Sequence, residues 1–113
     1  MGLAREFVER ASHRMPIVAA AVVGSVARGD FNVWSDIDVI VIADTLPERA
    51  LERQALMIEC VPPGVQAVAL TPSEFQAAIA KGNRLAREAL DSGVPLAGDA
   101  FFAAQRAAAS LRR

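Results

Sequence analysis

Two apolar runs constrain this chain more than any other feature of its sequence. Ile17–Val23 is continuously apolar and is bounded by Pro16 and Gly24, and Ile37–Ala43 is interrupted only by Asp38. Short runs rich in Val, Ile and Ala, stopped by Pro and Gly, predict strands covered on both faces. The chain must therefore form a sheet, and the remaining sequence must supply the helices that cover it.

The flanking segments carry that pattern. Leu3–Met15 reads as an amphipathic helix, with Leu3, Phe7, Val8 and Ala11 at helical spacing and Pro16 closing it. Pro47–Glu59 reads as a second helix with Pro47 at its first position. Pro62, Pro63 and Gly64 break the chain before a third short strand, Val65–Leu70. Thr71, Pro72 and Glu74 spell a capping box with proline at the first helical position. That helix is expected to end at Gly82. Asn83 opens another, stopped by Gly93. Val94–Ala97 fits a short edge strand, and Asp99 opens a final Ala-rich helix. The expected class is α+β with α/β character, a small mixed sheet with helices packed on it.

At 113 residues the chain is expected to be a single domain, 1–113, burying about two-thirds of its unfolded surface. Apolar residues make up 53% and charged residues 22%, which excludes a disordered composition. Twelve basic and thirteen acidic residues leave a net charge of -1, so no bulk attraction to nucleic acid or to an anionic membrane is expected. The single cysteine, Cys60, excludes an intrachain disulfide and a cysteine zinc site. No apolar run approaches the length of a membrane span, and the start does not read as a secretory leader. The expected location is the cytoplasm.

Chemistry concentrates between the two apolar runs. The segment reads Gly24-Ser25-Val26-Ala27-Arg28-Gly29-Asp30, then Phe31-Asn32-Val33-Trp34-Ser35, then Asp36-Ile37-Asp38. Backbone N–H groups where a strand ends at Gly24 suit phosphate, Ser25 adds a hydroxyl donor, and Arg28 adds a charge-assisted fork. Asp36 and Asp38 would point to one face of a strand, roughly 6.5 Å apart along it. Two like charges so placed call for a cation, and oxygen-only ligands favour Mg²⁺ or Mn²⁺. Ser25 ends the first strand and Asp36 begins the second, so the two sites meet only if the strands run antiparallel. A Walker loop is excluded, because Asp30 and Phe31 follow Gly29 where Lys and Ser or Thr are required. Taken singly, Gly24 is a turn glycine and Ser25 a helix cap; the joint pattern with the two aspartates favours function.

Gly-Ser, Arg-Gly and Ser-Asp-Ile-Asp before an apolar strand resemble the signature of the DNA polymerase beta-type nucleotidyltransferase superfamily. The branch most similar is the minimal nucleotidyltransferases, whose antitoxin-like members pair with HEPN proteins. Leu70–Phe75 and Gly93–Leu96 are similar to the tail of that branch. The resemblance implies that Gly24, Ser25, Arg28 and Gly29 belong to the nucleotide site. It also implies that Asp36 and Asp38 are the catalytic metal ligands. It further implies ATP or another nucleoside triphosphate as substrate, Mg²⁺ or Mn²⁺ as cofactor, and transfer of a nucleoside monophosphate, AMP for ATP, to a hydroxyl. The acceptor would lie on a second chain, a HEPN-type helical partner or another copy. The family's third carboxylate position falls on Gln66, which is neutral; this implies a weaker second metal site and opens the alternative of a catalytically impaired nucleotide- or partner-binding module. Glu59 is the candidate substitute for that missing charge.

Other residues carry plainer expectations. Asp30 is a solvated turn residue, Ser35 caps the loop or orients Asp36, and Trp34 anchors the loop. His13 and the interleaved Arg5, Arg10 and Arg14 form a solvated helix face, and Cys60 is a small buried hydrophobe. Phe101 and Phe102 are adjacent on a helix, so one is expected to face away from the core and to mark a contact with another chain.

Overall fold

A computed structural model describes residues 2–24, 27, 29 and 36–111. The expectations for Ser25, Arg28, Asp30, Trp34 and Ser35 fall outside them. Its elements are α1 (Gly2–Ser12), β1 (Ile17–Val23), β2 (Ile37–Ala43), α2 (Ala50–Cys60), β3 (Val65–Leu70), α3 (Pro72–Ala80), α4 (Arg84–Asp91), β4 (Val94–Ala97) and α5 (Asp99–Leu111). The strands form one mixed sheet in the order β3-β2-β1-β4. β1 pairs antiparallel with β2 and with β4, while β2 pairs parallel with β3 across the α2 crossover.

The two apolar runs are the two central strands, with the bounds expected for them. Their alternate side chains enter two cores. Ala20, Val22, Val39, Val41 and Ala43 pack with Phe7 and Ala11 of α1 and Met57 and Cys60 of α2. Ala19, Ala21, Val23, Ile40 and Ile42 pack on the other face with Phe75 of α3, Ala86, Ala89 and Leu90 of α4, and Phe102 of α5. Helices on both faces explain why neither strand alternates polar with apolar. Cys60 is buried, and burial pushes its thiol up from the usual range, against the lowering effect of Arg14. Among the described residues no helix is long and apolar enough to cross a membrane.

Two expectations are corrected. Pro47 is not the first residue of α2, which begins at Ala50 after an extended Arg49. Arg53 in the first turn of α2 donates from Nε to the Pro47 carbonyl at 3.0 Å, so the proline lies outside the helix as an acceptor for it. Phe101 and Phe102 do not face opposite ways. Both rings meet Phe75, at centroid distances of 5.7 and 6.1 Å, and meet each other at 5.6 Å. Phe101 is half-buried against the second core, so the basis for an aromatic contact with another chain is gone.

The capping box forms as the sequence spells it. The Glu74 amide donates to Thr71 Oγ1 at 3.2 Å, and the Thr71 amide donates to Glu74 Oε1 at 2.8 Å. Arg53 joins it, donating to Glu74 Oε1 at 2.8 Å and to the Ala69 carbonyl at 3.3 Å. The Thr71 amide, followed by Arg53, holds the Glu74 carboxyl below its ordinary value of 4.5 despite partial burial. A carboxyl depressed in the folded state contributes stability that is complete above its unfolded value and is lost as pH falls through its folded one. Urea unfolding at pH 7 should show Thr71→Ala less stable by about 1 kcal/mol. Glu74→Gln should destabilise at pH 7 and narrow its deficit as the pH is lowered below 4.5.

Candidate nucleotide and metal site

The antiparallel pairing of β1 with β2 sets the site. Val23, the last residue of β1, is the register partner of Asp38, the second residue of β2. Gly24 follows with φ 75, a left-handed conformation that suits glycine. A Cβ built on Gly24 would run into the Asp38 carboxylate. The end of the first strand therefore lies directly against the first acidic side chain of the second. Glycine is required there twice over, for its backbone angle and for its missing side chain.

Asp38 is half-buried and shares a sheet face with Ile40 and Ile42, the face covered by α3, α4 and α5. Asp36 precedes the strand and is exposed. The start of β2 is held by Ile37, whose amide donates to the Gly64 carbonyl at 2.8 Å.

Gln66 answers the question its neutrality raises. It is the parallel register partner of Asp38, and its Nε2 donates to Asp36 Oδ2 at 2.7 Å. The amide is thus in direct contact with one of the paired aspartates. Glu59 is elsewhere: its carboxylate pairs with Arg14 at 2.6 Å, between α1 and α2 on the opposite side of the sheet. It cannot supply the missing charge. Gly29 has φ 81 and open space where a side chain would be.

One residue was not anticipated. Glu88 of α4 accepts the Gly24 amide on Oε2 at 2.8 Å. Its side chain is only 16% exposed, and Arg84 stands 3.8 Å from its other oxygen. Arg84 and Glu88 sit four apart, which reads in sequence as a solvated helix pair. The partner that gives Glu88 its meaning is 64 residues away.

Asp36, just before β2, and Asp38, within it, offer carboxylate oxygens of the kind a hard divalent cation takes, and the Gln66 amide is bonded to Asp36. Among the described residues no group of three or more His, Cys, Asp or Glu side chains could hold a metal ion. A groove of about 500 Å³ between α2, β3 and α3, lined by Arg53, Met57, Val68 and Glu74 among others, contains none of these residues.

Comparison with known proteins bears on this arrangement. A family model described as a nucleotidyltransferase domain matches residues 4–93. A candidate nucleotidyltransferase from Sulfolobus solfataricus superposes with a TM-score of 0.61 at 22% identity, covering 83% of this chain and 76% of that one. A toxin–antitoxin structure with AMP-PNP superposes with a TM-score of 0.58 at 16% identity, covering 96% of this chain and 88% of that one. At these identities the likeness is one of fold. No curated protein matches the sequence.

Gly24→Ala should lower unfolding stability by about 1–3 kcal/mol, through the strained φ and the approach to Asp38. Gly29→Ala has only the φ cost to meet and should lose less in the same urea titration.

Proposed function

The chain belongs to the nucleotidyltransferase domain family, and we propose that it transfers AMP from ATP to a hydroxyl group on a partner protein. The observation that carries this reading is the closeness of Gly24 to Asp38, whose carboxylate a Cβ on Gly24 would run into. The neighbour described as a toxin–antitoxin with AMP-PNP supports both a nucleotide and a protein partner. The partner proposed is a HEPN-type helical protein in the cytoplasm.

In this reading the turn at Gly24, with Ser25 and Arg28, binds the triphosphate. Asp36 and Asp38 would hold Mg²⁺ or Mn²⁺, which would supply Lewis-acid neutralisation of phosphate charge. The acceptor oxygen bonds to the α-phosphorus as the bond from that phosphorus to the bridging oxygen breaks; pyrophosphate leaves and the hydroxyl proton passes to solvent. Asp38, half-buried beside Gly24, orients the phosphate end. Asp36 is exposed, just before the strand that carries Asp38.

A second reading rests on Gln66. Its N–H₂ occupies an oxygen of Asp36 and contributes no negative charge. An acidic side chain there would add a ligand and a base; an amide adds neither. This favours a protein that binds nucleotide and partner but transfers AMP slowly or not at all.

Incubation with α-labelled ATP, Mg²⁺ and a HEPN-type partner separates the two. The transferase reading expects label on the partner, reduced about 100-fold or more by Asp36→Ala or Asp38→Ala. Gln66→Asp should raise transfer above the wild-type level. MgATP binding without transfer, with transfer appearing only in Gln66→Asp, supports the impaired module. A wild-type protein that binds no MgATP contradicts the transferase reading, and one that binds neither MgATP nor partner contradicts both.

A further inference from the structure

Glu88 lies outside the paired carboxylates and outside the glycine turn, yet it is the side chain that joins α4 to that turn. Its Oε2 takes the Gly24 amide at 2.8 Å, and the carboxylate is largely withdrawn from solvent. A backbone amide bonds to any acceptor oxygen within reach, charged or neutral. This bond acts at the residue that follows the end of β1.

The helix that carries Glu88 is itself fixed. Ala86, Ala89 and Leu90 are buried in the second core against β1 and β2. The Ser92 and Gly93 amides both donate to the Glu88 carbonyl, at 2.9 and 2.7 Å, so the residue closes the last turn of α4. Gly93 approaches the Ala89 backbone so closely that a Cβ there would collide with it. Glu88 is thus held by a packed helix end on one side and grips Gly24 on the other. Gly24 in turn rests against Asp38.

We propose that Glu88 is a positioning residue for nucleotide binding: its carboxylate oxygen anchors the Gly24 amide and so fixes the turn against Asp38. The proposal rests on the nucleotidyltransferase reading, because the turn is taken to receive the triphosphate. The effective property of Glu88 is an acceptor oxygen at the right reach, not its charge. Glutamine supplies that oxygen without charge. Aspartate keeps the charge but is one methylene short. Alanine removes both.

The test is isothermal titration of MgATP into the wild type and the Glu88→Ala, Glu88→Gln and Glu88→Asp variants, with thermal melting as a folding check. The Gly24 amide proton is followed by NMR without nucleotide. Glu88→Ala and Glu88→Asp should weaken MgATP binding about 10-fold and shift the Gly24 amide resonance. Glu88→Gln should restore binding to within about 3-fold of wild type. Rescue by Asp and not by Gln would show that the charge acts, through the metal or the phosphates, and would overturn the proposal. Equal loss in all three, or no loss in any, would overturn it as well. Failure of the wild type itself to bind MgATP is a different result, and it removes the nucleotidyltransferase reading on which the proposal stands.

Discussion

The antiparallel pairing of β1 with β2 is the interaction on which the rest of the structure depends. It brings the end of one strand to the beginning of the next, so that Val23 faces Asp38 and Gly24 lies against the Asp38 carboxylate. Without that register, a glycine turn and an acidic pair close in sequence would sit at opposite ends of the sheet. With it, every element that packs on these strands also shapes the site. α4 does so most directly, because the helix that packs on the second core carries Glu88, which accepts the Gly24 amide.

Placing two carboxylates beside an apolar core is unfavourable unless something answers their charge. Asp38 emerges where burial gives way, at the half-buried start of β2, and Asp36 is exposed. Gln66 provides a neutral donor to Asp36 in place of a third like charge. That substitution eases repulsion in the free protein while removing charge that a second cation would need.

The parts legible in the sequence are those set by local patterns. β1, β2, β3 and β4 have the expected bounds because their apolar runs are short and are stopped by Pro, Gly or acidic residues. The capping box at Thr71 and Glu74 was legible because its partners lie three residues apart. The antiparallel pairing of β1 and β2 followed from requiring Ser25, at the end of one strand, and Asp36, at the start of the next, to meet. What escaped depends on partners distant in sequence. Pro47 lies outside α2, where its carbonyl accepts Arg53. Phe101 found a ring on α3, so adjacent aromatics on one helix share a core. Glu59 was consumed by Arg14, two residues beyond the end of the first helix. Glu88 carried no local signal, since a glutamate four residues after an arginine on a helix is ordinarily solvated.

The central claim is that the Gly24 turn and the Asp36–Asp38 pair form one nucleotide and metal site. A crystal structure with AMP-PNP and Mn²⁺, collected at a wavelength where manganese scatters anomalously, tests it most directly. The account predicts the triphosphate against Gly24, and an anomalous peak within bonding distance of the Asp36 and Asp38 carboxylates. Nucleotide lodged in the groove between α2 and β3, or manganese bound away from both aspartates, would contradict it.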